Sequence, residues 1–218
     1  LYDFANGATL PQADVLRDIR NSSGQYISST FQSIERQVFV FGTQFRSTDY
    51  SYPPGVAIKV SANRGFDLNS HYTNYSDTTK YGELYVNLHT IDASQVQHEA
   101  KQLFLNKDDF SLPANKQSVV NSSYTFNDNR TIFMLTAHAH KYMEEFKIYI
   151  KGGERDGELI YYTDDWEHPP IQEYDPPLVL KPGEGLRGET TYNNTTNQTL
   201  RFGLLSTDEM NIIFGAYY

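Results

Sequence analysis

From Val38 onward the chain is a succession of short apolar or alternating runs, each cut off within a few residues by Gly, Asn, Asp or Pro. That rhythm leaves little room for amphipathic helices and favours strands. The runs fall at residues 38–41, 56–61, 66–72, 83–90, 102–105, 117–125, 131–140, 145–151, 157–163, 185–192, 199–205 and 210–218. Pro11, followed by Ala-Asp-Val-Leu-Arg-Asp-Ile, predicts one short helix with Pro in its first turn. Residues 91–101 are polar and read as a linker or an edge strand. The Asp- and Pro-rich stretch from Thr163 to Pro177 reads as one long surface loop. The expected fold class is an all-β sandwich, its strands splitting near residue 95 into two groups, 1–95 and 96–218.

Composition narrows the function classes. A net charge of −9 argues against a nucleic-acid partner, because phosphate contacts need a basic surface. The absence of cysteine excludes disulfides, zinc–thiolate sites and thiol catalysis. No apolar run is long enough for a membrane-spanning helix. Asn-x-Ser/Thr sequons at Asn21, Asn74, Asn121, Asn129, Asn193, Asn194 and Asn197 are glycan acceptors in a secreted eukaryotic chain, or products of Asn- and Thr-rich loops. There is no Gly-x-Ser-x-Gly elbow, Gly-rich phosphate loop or His-Glu-x-x-His helix.

The sharpest local feature is Ile132-Phe-Met-Leu-Thr-Ala-His-Ala-His140. On a strand, His138 and His140 share a face with Thr136, Met134 and Ile132, while Phe133, Leu135, Ala137 and Ala139 face the other way as a core would. Two imidazoles at i and i+2 are placed to grip one metal ion, although such pairs on strands also occur with nothing bound. Ser206-Thr-Asp-Glu-Met210 precedes the closing apolar segment. Met210 is either core filler or, beside histidines, a soft ligand suited to Cu(I). Asp208 and Glu209 are placed to orient its loop. His71 shares strand parity with Asn69, whereas His89, His98 and His168 have no partners in register.

The order His-x-His, long loop, then Asp-Glu-Met before a terminal aromatic strand resembles the catalytic domain of the copper type II, ascorbate-dependent monooxygenases, the family of peptidylglycine α-hydroxylating and dopamine β-monooxygenases. Pro53-Pro-Gly-Val-Ala-Ile-Lys-Val, Phe66-Asp-Leu-Asn-Ser-His-Tyr, Gly82-Glu-Leu-Tyr-Val-Asn-Leu-His-Thr and Phe110-Ser-Leu-Pro-Ala-Asn extend the resemblance over roughly residues 36–218. It implies two jelly-roll sandwiches, each with one copper. His138, His140 and Met210 match the ligands of the copper that hydroxylates a substrate C–H bond with O₂. His71 matches one ligand of the electron-transfer copper, and ascorbate or another reductant supplies electrons. The substrate would be a small molecule or peptide-like, and the location extracellular or periplasmic.

The departures carry information too. The family's adjacent His-His pair, upstream of the His71 position, has no counterpart here, and Leu1-Tyr-Asp-Phe resembles the strand that follows it. An upstream segment completing the first domain is therefore expected. Thr136, Ile212 and Phe214 occupy the places where peptide-amidating members carry Arg, Asn and Tyr, so peptide amidation is not expected. Lack of disulfides fits a bacterial-type relative. The rival readings are a non-catalytic copper-binding protein, a β-sandwich that binds carbohydrate or protein through its tyrosines, and a zinc site, for which Met is a poor ligand.

Overall fold

The computed structural model describes residues 1–4, 11–12, 15–30, 37–60, 62, 65–70, 72 and 74–218. By internal contacts the chain divides into two units, residues 1–42 with 58–96, and residues 43–57 with 97–218. As expected, regular structure is almost entirely strand.

In the first unit, β1 (Tyr2–Phe4) pairs antiparallel with β2 (Gln37–Phe39), and Tyr2 also bridges to Asp67. Three-residue strands supply few ladder bonds, and Phe4 and Val40 are the buried apolar residues near this pair. The helix expected after Pro11 is not formed at Val15–Asp18, which are irregular and exposed; Ala13 and Asp14 lie outside the described residues. The strand expected over 83–90 is also irregular, with Tyr85 and Leu88 exposed. The apolar alternation is present there, but no neighbouring strand takes up its backbone groups among the described residues.

The second unit is built from long ladders. β3 (Val56–Ile58), β4 (His98–Asn106), β7 (Arg130–His138), β10 (Gln172–Leu180) and β13 (Ile212–Tyr217) form one sheet in the order β10–β7–β13–β4–β3. β6 (Lys116–Thr125), β8 (Met143–Lys151), β9 (Leu159–Thr163) and β11 (Gly185–Asn194) form a second, in the order β6–β11–β8–β9. A short ladder joins β5 (Ser111–Leu112) to β12 (Leu200–Arg201). In β8, Phe146, Ile148 and Ile150 alternate inward, and β11 does the same with Leu186, Thr190 and Tyr192. They share a core with Leu103, Leu135 and Ile213 of the other sheet. At Gly188 an added Cβ would stand 2.4 Å from the Oγ of Ser122, its partner on β6, so the position is closed to a side chain unless Ser122 moves.

Two expectations are corrected. Residues 172–180 are a strand, not the end of a loop. β10 is an edge strand whose register with β7 shifts between Glu173 and Leu178, and Pro176 and Pro177 sit in that interruption, where no ladder N–H is needed. The facing of β7 also changes part-way. Its register with β13 shifts by one residue between Ala216, opposite Met134, and Tyr217, opposite Ile132. That bulge reverses the alternation: Ile132 joins Leu135 and Ala137 in the core, and Phe133 packs edge-on against Tyr52 at 5.2 Å.

Candidate metal site

His138 ends β7, and His140 lies two residues beyond the strand. Ile212, the first residue of β13, lies opposite His138, so the central ladder brings Met210, two residues earlier, to the end of β7. Both histidines are half-buried, Ala139 between them is buried, and Met210 is only 7% exposed. The His138 and His140 rings stand 5.2 Å apart between centroids, nearly perpendicular at 81°. Two imidazoles bound through nitrogen to one tetrahedral ion at about 2.0–2.1 Å would have centroids about 5 Å apart.

The hydrogen bonds put a proton on Nδ1 of each ring. His140 Nδ1 lies 2.8 Å from the carbonyl oxygen of Asp208, which can only accept. His140 therefore donates from Nδ1, and the neutral ring carries its lone pair on Nε2. His138 Nδ1 lies 2.7 Å from Gln44 Oε1. Gln44 Nε2 donates to the carbonyls of Trp166, at 2.8 Å, and Glu167, at 3.1 Å, which fixes the amide with its oxygen towards His138. His138 is thus also protonated at Nδ1, and its neutral form likewise carries the lone pair on Nε2. Metal-bound histidines carry this arrangement, one nitrogen donating to an oxygen and the other binding the ion.

Glu209 ties the strand end to the Met210 turn. Its carboxylate is fully buried and accepts three backbone N–H groups: Oε2 takes those of His140 (2.9 Å) and Met210 (3.3 Å), and Oε1 that of Tyr142 (2.9 Å). Burial pushes this carboxyl up to about 7, against the pull of the three amides and of Lys141. On the other side, Tyr192 Oη donates to the Met210 carbonyl at 2.6 Å, and Asn211 Nδ2 donates to Tyr192 Oη and Thr190 Oγ1. The Asp208 carboxylate serves the turn itself, accepting from Leu205 N at 3.1 Å. It sits so close to Gly203 that a Cβ there would lie 2.1 Å from Oδ2.

Of the residues singled out in the sequence, the structure brings together His138, His140 and the backbone of Met210, with Asp208 and Glu209 around them. His71 lies outside the described residues. His98 stacks on Tyr218 at 4.2 Å, and His168 packs near Phe45 at 5.6 Å. Among the described residues, no three His, Cys, Asp or Glu side chains form a metal-holding group. Gln44 is the residue that sequence reasoning missed. It stands 94 positions before His138 in a segment with no motif, and only the folded chain reveals the pairing. No protein-family model matches the sequence, and no curated protein matches it.

Proposed function

We propose that the chain is a copper-dependent monooxygenase that hydroxylates a substrate C–H bond with O₂ and an external reductant such as ascorbate. The observation that carries this reading is the paired Nδ1 bonding of His138 and His140, whose rings stand 5.2 Å apart at the end of β7, with the backbone of Met210 tied to the same place. His138 and His140 would hold the ion through Nε2 and Met210 through its sulfur, a donor set that favours Cu(I) over zinc. Copper bound there would supply the one-electron and O₂ chemistry that no side chain can. The chain's own part is binding and orientation. Asp208 O and Gln44 Oε1 each accept the Nδ1–H of one imidazole, so that each ring would meet an ion through Nε2, and Glu209 ties the backbone of His140 to that of Met210. Jelly-roll topology, a second copper involving His71, and an extracellular or periplasmic location belong to the same reading. No helix among the described residues is long and apolar enough to cross a membrane.

The test is copper loading of wild type and Met210→Ala, with X-ray absorption of the Cu(I) form. The expected result is a single copper per chain with a sulfur scatterer that disappears in the variant. Ascorbate-driven, copper-dependent O₂ consumption then separates an oxygenase from a protein that only carries the metal. Absence of bound copper, or copper indifferent to Met210, removes the reading.

A further inference from the structure

The segment 43–57 belongs by its contacts to the second unit, although the chain on both sides of it belongs to the first. It is anchored along its length. Tyr52 packs on Phe133 of β7 and its hydroxyl accepts from Gln102 Nε2 at 2.8 Å. At the C-terminal end, Gly55 O accepts from Gln97 N and His98 N. At the other end, Thr43 Oγ1 accepts from Phe45 N at 3.1 Å, and Phe45 lies beside His168. Gln44 projects from this strap to the metal site, and every polar atom of its amide is used: two donations to the loop after β9 and one acceptance from His138.

We propose that Gln44 is a positioning residue for His138, holding the imidazole in the Nδ1–H form so that Nε2 is the metal-binding nitrogen. Rotating the amide would set its NH₂ against His138 and its oxygen against two carbonyl oxygens, which costs both donations and creates repulsion. The isolated imidazole has no such constraint and distributes its proton between the two nitrogens. His140 needs no equivalent side chain, because the Asp208 carbonyl does the same work from the backbone. The site is therefore completed by the strap, and only half of its tautomer control lies in the strands that carry the ligands. The consequence for metal binding rests on the copper reading above; the consequence for the tautomer does not.

The experiment reads the two separately. In metal-free full-length protein, the imidazole ¹⁵N shifts of His138 and His140 are measured in wild type, Gln44→Leu and Gln44→Glu. Wild type is expected to show both rings protonated at Nδ1. Gln44→Leu is expected to move the His138 proton partly or wholly to Nε2 while His140 stays as it was. Gln44→Glu, which keeps an acceptor for His138 but gives up both donations to the loop after β9, is expected to keep the His138 proton on Nδ1. A wild-type His138 protonated at Nε2 overturns the proposal, and that measurement needs no variant to fold. So does a Gln44→Leu protein whose His138 is unchanged. With copper added, Gln44→Leu is expected to bind about 10–100-fold more weakly than wild type and Gln44→Glu close to it. Equal affinity in Gln44→Leu overturns the role at the metal. If wild type binds no copper but the tautomer moves as expected, the oxygenase reading fails and the positioning role stands.

Discussion

The two units of this chain carry similar apolar residues in different settings. In the second, strands of nine or ten residues such as β4, β6, β7, β8 and β11 pair on both sides or pack over a common core. In the first, the described strands are three residues long, and Tyr72, Tyr75, Tyr81 and Tyr85 are mostly in solvent, Tyr75 at 97%. The difference teaches that a strand pattern is a request for neighbours. Residues 83–90 alternate as well as many residues in β6 do, yet only β6 has β11 alongside it to take up its N–H and C=O groups.

Several measurements break or sharpen this contrast. The largest effect is expected in the shared core. Phe146, fully buried between the sheets, should cost about 3–5 kcal/mol when changed to Ala, read by denaturant unfolding. A loss below about 1 kcal/mol would mean that the two sheets do not depend on one core. Next is Glu209. Its carboxyl is raised from an ordinary 4.5 to about 7, so between those values the folded state binds more protons than the unfolded state. The stability this group contributes is fully present below about pH 4.5 and is lost as pH rises to about 7. Comparing metal-free wild type with Glu209→Gln, which does not titrate, the wild type should lose about 3 kcal/mol relative to the variant across that window. A difference that stays flat with pH would show that the amides around Glu209 fully offset its burial. The smallest effect is expected in the first unit, where Tyr85→Ala, at an 80% exposed position, should change stability by no more than about 0.5 kcal/mol. Hydrogen exchange gives the same comparison without mutation. Amides of β7 and β13 should open only with global unfolding, and those of residues 83–90 should exchange nearly unprotected.

The all-β class was legible in the spacing of apolar runs and turn residues, because each ladder of the second unit is written locally as alternation. Two features were not. The bulge that sends Ile132 into the core between the sheets and Phe133 to the opposite face, where it is buried beside Tyr52, depends on a register shift against β13, some 80 residues away, and leaves no mark in the strand's own sequence. β10 was read as loop because Asp175, Pro176 and Pro177 are poor strand formers; its edge position and broken register make them tolerable. At the candidate site, the pairing of His138 with His140 followed from parity, and Glu209 and Asp208 were visible as neighbours of Met210. Their actual contacts differ in kind: a buried carboxylate shared by three amides, and a backbone carbonyl. Gln44 carried no signal, since an amide used as a tautomer lock looks like any surface glutamine until the chain is folded.

The placement of residues 43–57 also bears on how the molecule can be taken apart. β3 lies on the open side of β4, at the edge of the larger sheet. A fragment beginning at Gln97 would keep every strand of the sandwich except that one. It would present β4 as a bare margin of unpaired N–H and C=O groups, and it would lose Tyr52 from the outer face of Phe133. Such a piece is expected to associate margin to margin in solution. The divide between the units is thus not a place to cut, and an expression boundary that respects this architecture has to keep residues 43–57 with the strands they cover.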